Sequence, residues 1–143
     1  MQKEKTALFI GHDEPYGIEY EAKVTEAIVS LIDRGVETFL CGGMGQFDWL
    51  CARVAHKLKK QYPQIQVLLV IPYLTFNILD REYFDDVVYP DLEKYYFKQA
   101  IIERNKYMIA NSGFAICHVT HSWGGAAATY KKAKRQKLEI LDL

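Results

Sequence analysis

Two short glycine runs carry the strongest chemical signal in this chain. Gly42-Gly43-Met44-Gly45 follows the apolar run Thr38 to Cys41 and precedes a helical pattern whose first turn holds Asp48. Glycines let the backbone approach a ligand, and the free N–H groups and dipole of a helix start favour an anion. A phosphate fits there, and so does a plain tight turn with Asp48 as its cap. The run is neither a G-x-G-x-x-G fingerprint nor a Walker loop. Thr120-His121-Ser122-Trp123-Gly124-Gly125-Ala126 repeats the arrangement after a second apolar run and before a second helical pattern. Thr120, Ser122 and Thr129 add hydroxyls for phosphate or ribose, and the Trp123 indole can stack on a base or pack over a helix end. Two anion sites on one edge suit a nucleotide.

Arg104 and Asn105 form the next candidate. On a helical wheel over Phe97 to Asn111, Asn105 falls inside the apolar arc and Arg104 at its edge. An inward polar side chain must find partners, so the pair is either a tie to neighbouring loops or part of a ligand site, where Arg suits phosphate. Gly11 and His12 end the first apolar run, and Pro72 ends the third; His12 can donate to a ligand or cap its loop. Cys117, His118 and His121 invite a zinc reading, but consecutive strand residues face opposite ways and spaced ligand doublets are absent, so no metal and no cofactor is expected. Lys131, Lys132, Lys134, Arg135 and Lys137 form a basic run at a helix end, where such charges are commonly solvated. No nucleophile elbow is present.

The elements that position these residues alternate. Ala7–Ile10, Thr38–Cys41, Ile65–Ile71 and Phe114–Val119 are short continuous apolar runs, the pattern of parallel strands covered on both faces. Ile65–Ile71, almost wholly aliphatic, is expected at the sheet centre. Helical spacing links Val24, Ala27, Ile28 and Leu31, and again Phe47, Leu50, Cys51, Val54 and Leu58; Phe97–Asn111 and Gly125–Arg135 are the other helices, and Leu138–Leu141 is a last strand. Tyr73 to Tyr96 reads as a long irregular connection, a candidate functional flap, with Val87-Val88-Tyr89 as a short strand inside it. The fold class is α/β: a Rossmann-like three-layer sandwich with a mainly parallel central sheet, in which ligands bind outside the carboxyl ends of the strands.

The chain has 143 residues, room for a single domain over 1–143. Eighteen Lys plus Arg balance eighteen Asp plus Glu, which supplies no overall field toward nucleic acid or anionic membrane and disfavours nucleic acid as a partner. Three cysteines without a C-x-x-C pair read as buried hydrophobes of a reducing, cytoplasmic compartment. No secretion signal or membrane anchor is expected.

Gly11-His12, Gly42-Gly43-Met44-Gly45-Gln46-Phe47-Asp48, Ile71-Pro72, Arg104-Asn105-Lys106-Tyr107-Met108 and His121-Ser122-Trp123-Gly124-Gly125-Ala126, in this order, resemble the SLOG superfamily. That group is named for the DNA-processing SMF proteins and the Lonely Guy phosphoribohydrolases, and this chain is most similar to its small stand-alone bacterial members. The resemblance spans about Ala7 to Leu143 and implies a strand-end pocket for nucleotides or their derivatives, commonly in a homodimer. In the Lonely Guy enzymes an Arg on a helix and a Glu after a P-G-G-x-G-T loop cut an N-glycosidic bond. Arg104 and Gly124-Gly125 look like counterparts of that Arg and that loop. Thr129, however, is followed by Tyr130, Lys131 and Lys132 where carboxylates would stand, so hydrolysis has no visible engine unless Asp48 or Glu19 substitutes. His12 is followed by Asp13 where close relatives often carry Arg.

The leading expectation is a nucleotide-binding module, of the sensing kind, using Gly42, Gly43, Gly45, Gly124, Gly125 and Ala126 for phosphate, with Arg104 and Asn105 as polar anchors. The alternative is a phosphoribohydrolase-like enzyme with Asp48 as acid or base. A nucleic-acid or protein interaction module using Lys131 to Arg135 is the third.

Overall fold

The computed structural model describes all residues, Met1–Leu143. After a 3-10 turn at Lys3–Lys5 the elements run β1 (Thr6–Gly11), α1 (Ile18–Asp33), β2 (Thr38–Cys41), α2 (Gln46–Leu58), β3 (Gln66–Val70), β4 (Asp86–Val88), α3 (Phe97–Ala110), β5 (Phe114–His118), α4 (Gly124–Arg135) and β6 (Glu139–Asp142). The strands form one sheet in the order β4-β3-β2-β1-β5-β6, and every neighbouring pair is parallel. Leu8 pairs with Leu40 on one side and with Ala115 on the other, which fixes the register at the centre.

Strand alternation sends alternate residues to two cores. Ala7, Phe9, Phe39, Cys41, Val67, Leu69 and Ile116 meet α1 and α2 through Val24, Ile28, Leu50 and Val54. Leu8, Ile10, Leu40, Leu68, Val70, Ala115 and Cys117 meet α3 and α4 through Met108, Ile109 and Ala133. Burial on both faces explains the unbroken apolar runs, and it makes the three-layer sandwich the only way to cover them. All three cysteines are free and buried. No helix is long and apolar enough to cross a membrane.

Two expectations change. β3 is an inner strand but not the central one, because β4 adds on its far side and β2 and β1 hold the middle. The connection from Tyr73 is not a free flap over its whole length. Phe84 and Leu92 are buried, the Asp85 carboxylate accepts the Val67 N–H at 2.7 Å and pairs with Lys59, and β4 locks onto β3.

Candidate functional site at the β1–β5 crevice

The strand order places the site. From β1 the chain adds β2 and β3 on one side and β5 and β6 on the other, so the loops after β1 and β5 diverge and leave a crevice at the carboxyl end of the sheet. A cavity of about 210 Å³ opens beside that crevice, lined from β1, the loop after β2, α2, α3 and α4. Of the residues chosen from sequence, Gly11, Gly42, Asp48, Arg104, Asn105, Gly125, Ala126 and Thr129 line it. Phe9, Ile10, Met44, Ile101 and Met108 complete the wall. Sequence reasoning passed over these five; Phe9 and Ile10 belong to the apolar run of β1, Met44 to a quoted glycine run, and Ile101 and Met108 to the apolar arc of α3.

The two glycine-opened helix starts differ in kind. At α2 the loop is folded onto protein. The Asp48 Oδ2 accepts the Met44 N–H at 3.0 Å, Asp13 Oδ1 accepts the Gln46 N–H at 3.1 Å, and the His12 carbonyl accepts the Phe47 N–H at 3.3 Å. Gly43 sits at φ +64°, and a Cβ there would stand 2.6 Å from a Leu69 methyl. Two carboxylates and a carbonyl thus hold the N–H groups of Met44, Gln46 and Phe47 at the turn where a phosphate on Gly42 to Gly45 is expected. Asp13 is a cap for α2 from another loop.

At α4 the start is open. Trp123 is the N-cap and supplies no side-chain cap. No protein group accepts from the N–H of Gly124, Gly125 or Ala126. Gly124 has φ +89°, and neither glycine has any atom within 4 Å of where a Cβ would be. Gly125 and Ala126 line the cavity, so two free donors and the positive end of the helix dipole border it, and no protein anion pairs with them.

Arg104 and Asn105 exchange the roles that the wheel predicted. Arg104 is 2% exposed, while Asn105 is half-buried. The buried line of α3 is Ala100, Arg104, Met108, one helical turn apart each, and Ile101 lies off its centre. The Arg104 Nη1 donates to the carbonyls of Gly42 and Val70, both at 2.8 Å, its Nε donates to Asn105 Oδ1 at 2.8 Å, and its Nη2 reaches the Met44 sulfur at 3.2 Å. Four of its five N–H donors are thus engaged, so Arg104 braces the loops and offers a ligand only one donor. Asn105 Nδ2 donates onward to Thr129 Oγ1 at 3.2 Å, and Thr129 donates to the Gly125 carbonyl at 2.8 Å. This relay sets the first turn of α4 against α3.

Asp48 is 8% exposed, and its Oδ1 has no protein hydrogen-bond partner. Burial pushes its carboxyl up to about 6, against the opposing pull of the Met44 N–H and of Arg104. It is the one carboxylate that lines the cavity; Glu19 stands outside it.

The remaining candidates lie beside the cavity. Pro72 and Gly43 are buried and do not line the cavity, and Gly45 is the N-cap of α2. His12 is buried and accepts the Thr120 N–H on Nε2 at 3.0 Å; burial, with His121 alongside, holds its ring below the usual imidazole range. His12, His121 and Trp123 stack in a column. Thr120, His121 and Ser122 line a second, shallow trough with Lys131 and Lys134. Cys117 points into the α3–α4 core, and His118 turns the other way, its Nδ1 3.1 Å from the Tyr16 hydroxyl.

A parallel Rossmann-like sheet with its cavity between a glycine-opened loop after β2 and a second at α4 defines a SLOG-type domain. The sequence profile of the YspA SLOG family matches residues 8–140, and the chain belongs to that family. It is 28% identical over 145 residues to the UPF0398 protein BH1768 of Halalkalibacterium halodurans, covering 89% of this chain and 75% of the relative. Among solved structures it is similar to DNA processing protein A from Helicobacter pylori, a single-stranded DNA-binding protein, with TM-score 0.71, 15% identity and 98% of this chain covered. DNA processing protein A from Streptococcus pneumoniae matches with TM-score 0.67, 14% identity and 96% of this chain. The chain spans 65% and 49% of those two proteins.

These neighbours overturn one expectation. Zero net charge disfavours nucleic acid as a partner, yet a protein of this fold binds single-stranded DNA. Net charge sums the whole surface, whereas a strand meets only one local patch of it.

Proposed function

We propose that this domain binds a nucleotide at the β1–β5 crevice, with the phosphate on the first turn of α4 and the ribose hydroxyls on Asp48. The observation that carries this reading is one cavity lined both by Gly125 and Ala126, whose N–H donors are unpartnered, and by Asp48, whose Oδ1 is unpartnered. Donors suit a phosphate and an acceptor suits sugar hydroxyls. A volume of about 210 Å³ is small against the ~300–1,000 Å³ of drug-sized sites, so it suits one phosphoribosyl group with its base outside. Cleavage of the glycosidic bond draws less support, because glycoside hydrolysis ordinarily uses a carboxylate pair and Asp48 lines the cavity alone.

Thermal denaturation with nucleoside monophosphates, ADP-ribose, NAD and inorganic phosphate tests this. At about 100 times Kd a nucleotide adds about 2.7 kcal/mol, a rise of roughly 5 to 10 °C. Gly125→Asp, which sets a carboxylate on the open donors, abolishes the rise. No shift with any nucleotide, or a shift that survives Gly125→Asp, overturns the reading.

The H. pylori neighbour favours a second reading, in which the phosphoribosyl unit belongs to a single strand rather than to a free nucleotide.

A further inference from the structure

The cavity and the trough lie on opposite sides of one helical turn. Ala126 and Thr129 face the cavity, while Ala127, Tyr130, Lys131 and Lys134 face the trough, which has a volume of about 430 Å³. The ridge between them is the glycine pair, where no side chain stands and nothing lies within 4 Å of either missing Cβ. Beside that ridge Trp123 is 69% exposed. Its ring lies 3.8 Å from that of His121, and His121 lies 3.9 Å from His12, both at an interplanar angle of 19°. The column is anchored at its base, where His12 is buried and accepts the Thr120 N–H. A large indole is thus held flat against one ring, and its exposure leaves the other face to solvent. Such a preorganised aromatic surface gives up little conformational freedom when a base stacks on it.

The trough supplies charge. Lys131 and Lys134 stand one turn apart and neither forms an ion pair, although Lys134 Nζ also sits 4.9 Å above the Tyr130 ring. The nearby Asp142 carboxylate is engaged by the Tyr130 hydroxyl at 2.9 Å. Lys132 and Arg135 face away, toward Lys106.

We propose that a single-stranded nucleic acid crosses the first turn of α4, with one phosphoribosyl unit in the cavity, a neighbouring base on Trp123, and the next phosphate between Lys131 and Lys134. This rests on the nucleotide reading of the cavity and extends it: a mononucleotide fills the cavity alone, while only a strand also reaches the trough. The contacts involve backbone and stacking, so the path tolerates any base sequence.

Binding of UMP and of uridine oligonucleotides of two, four and eight residues, followed by calorimetry, tests the path. Oligonucleotides bind at least about tenfold tighter than UMP, and the gain falls with salt at a log–log slope of about −0.7 per phosphate contacted. The double variant Lys131→Glu/Lys134→Glu, on an exposed helix face, removes that gain and leaves UMP affinity unchanged. Trp123→Ala lowers oligonucleotide affinity about tenfold with the same circular dichroism as the parent chain. If UMP binds and lengthening adds nothing, or if the gain survives the double variant, the path is overturned and the nucleotide reading stands. If neither UMP nor any oligonucleotide binds, both fall.

Discussion

The starts of α2 and α4 are alike in sequence and opposite in state. Each follows a parallel strand, each is opened by a glycine run, and both face the same edge of the sheet. At α2 protein groups have taken three donors of the turn, the N–H groups of Met44, Gln46 and Phe47: Asp48 from within the helix, and Asp13 and His12 from the loop after β1. At α4 the equivalent donors are free and the glycines border empty space. Glycine therefore means two things in one molecule. At Gly43 it lets the chain pack against Leu69 with a positive φ; at Gly124 and Gly125 it keeps a surface low enough for something else to lie on.

The sharpest way to break the closed side is Arg104→Ala. It strands the buried carbonyls of Gly42 and Val70, at about 1–3 kcal/mol each, so a loss of about 3 kcal/mol or more is expected, roughly 10 °C in a thermal melt. Arg104→Lys recovers only part of it, because one ammonium cannot serve Gly42, Val70 and Asn105 together. The loss appears without any ligand, which distinguishes a brace from a phosphate clamp.

Asp48 gives the next effect, and its sign is unusual for a carboxylate. Its carboxyl rises to about 6 in the folded chain, against about 3.9 when unfolded. Between those values the native state holds a proton that the unfolded chain has released. Stability from this group is therefore full at low pH and is lost as pH rises through about 6, by up to about 3 kcal/mol. Asp48→Asn removes this slope. Denaturation of both chains at about pH 4.5 and about pH 7.5 measures it as the difference between them, which cancels the opposite trends of His12 and His118, whose rings burial holds low.

The smallest effects compare the two starts directly. Asp13→Ala uncaps α2 and costs about 1 kcal/mol. Gly125→Asp does the reverse at α4: an acidic residue in an open first turn stabilises the chain by about 0.5–1 kcal/mol. Chemical denaturation reads both, and equal losses in the two variants would erase the distinction.

Most of the fold was legible because burial on both faces leaves continuous apolar runs, and Ala7 to Ile10 or Phe114 to His118 admit little else. The place of β3 was not legible, since an inner strand and a central strand bury the same residues. At the site, Gly124-Gly125, Asp48 and Thr129 could be chosen by type and position. The closure of α2 could not, because its cap Asp13 lies 33 residues from Gln46 and only the finished sheet joins their loops. The exchange between Arg104 and Asn105 has a simpler cause. A wheel centred on half-buried Ile101 is rotated from the true buried line through Ala100, Arg104 and Met108. Charge misled for a related reason, as a sum of zero hides Lys131 and Lys134 standing unpaired beside an exposed indole.

The hydrogen bond from Thr120 to His12 joins residues 108 apart in the chain. Strands β1 to β4 and helices α1 and α2 can assemble from the first part of the polypeptide, but the crevice has only one wall until β5 inserts beside β1 and brings α4 with it. Closing so long a loop is slow. The cavity is therefore among the last features to exist as the chain folds and among the first to be lost when β5 detaches. An occupant bridging its two walls acts as a clasp on the whole sheet, retarding unfolding while leaving the rate of folding nearly untouched.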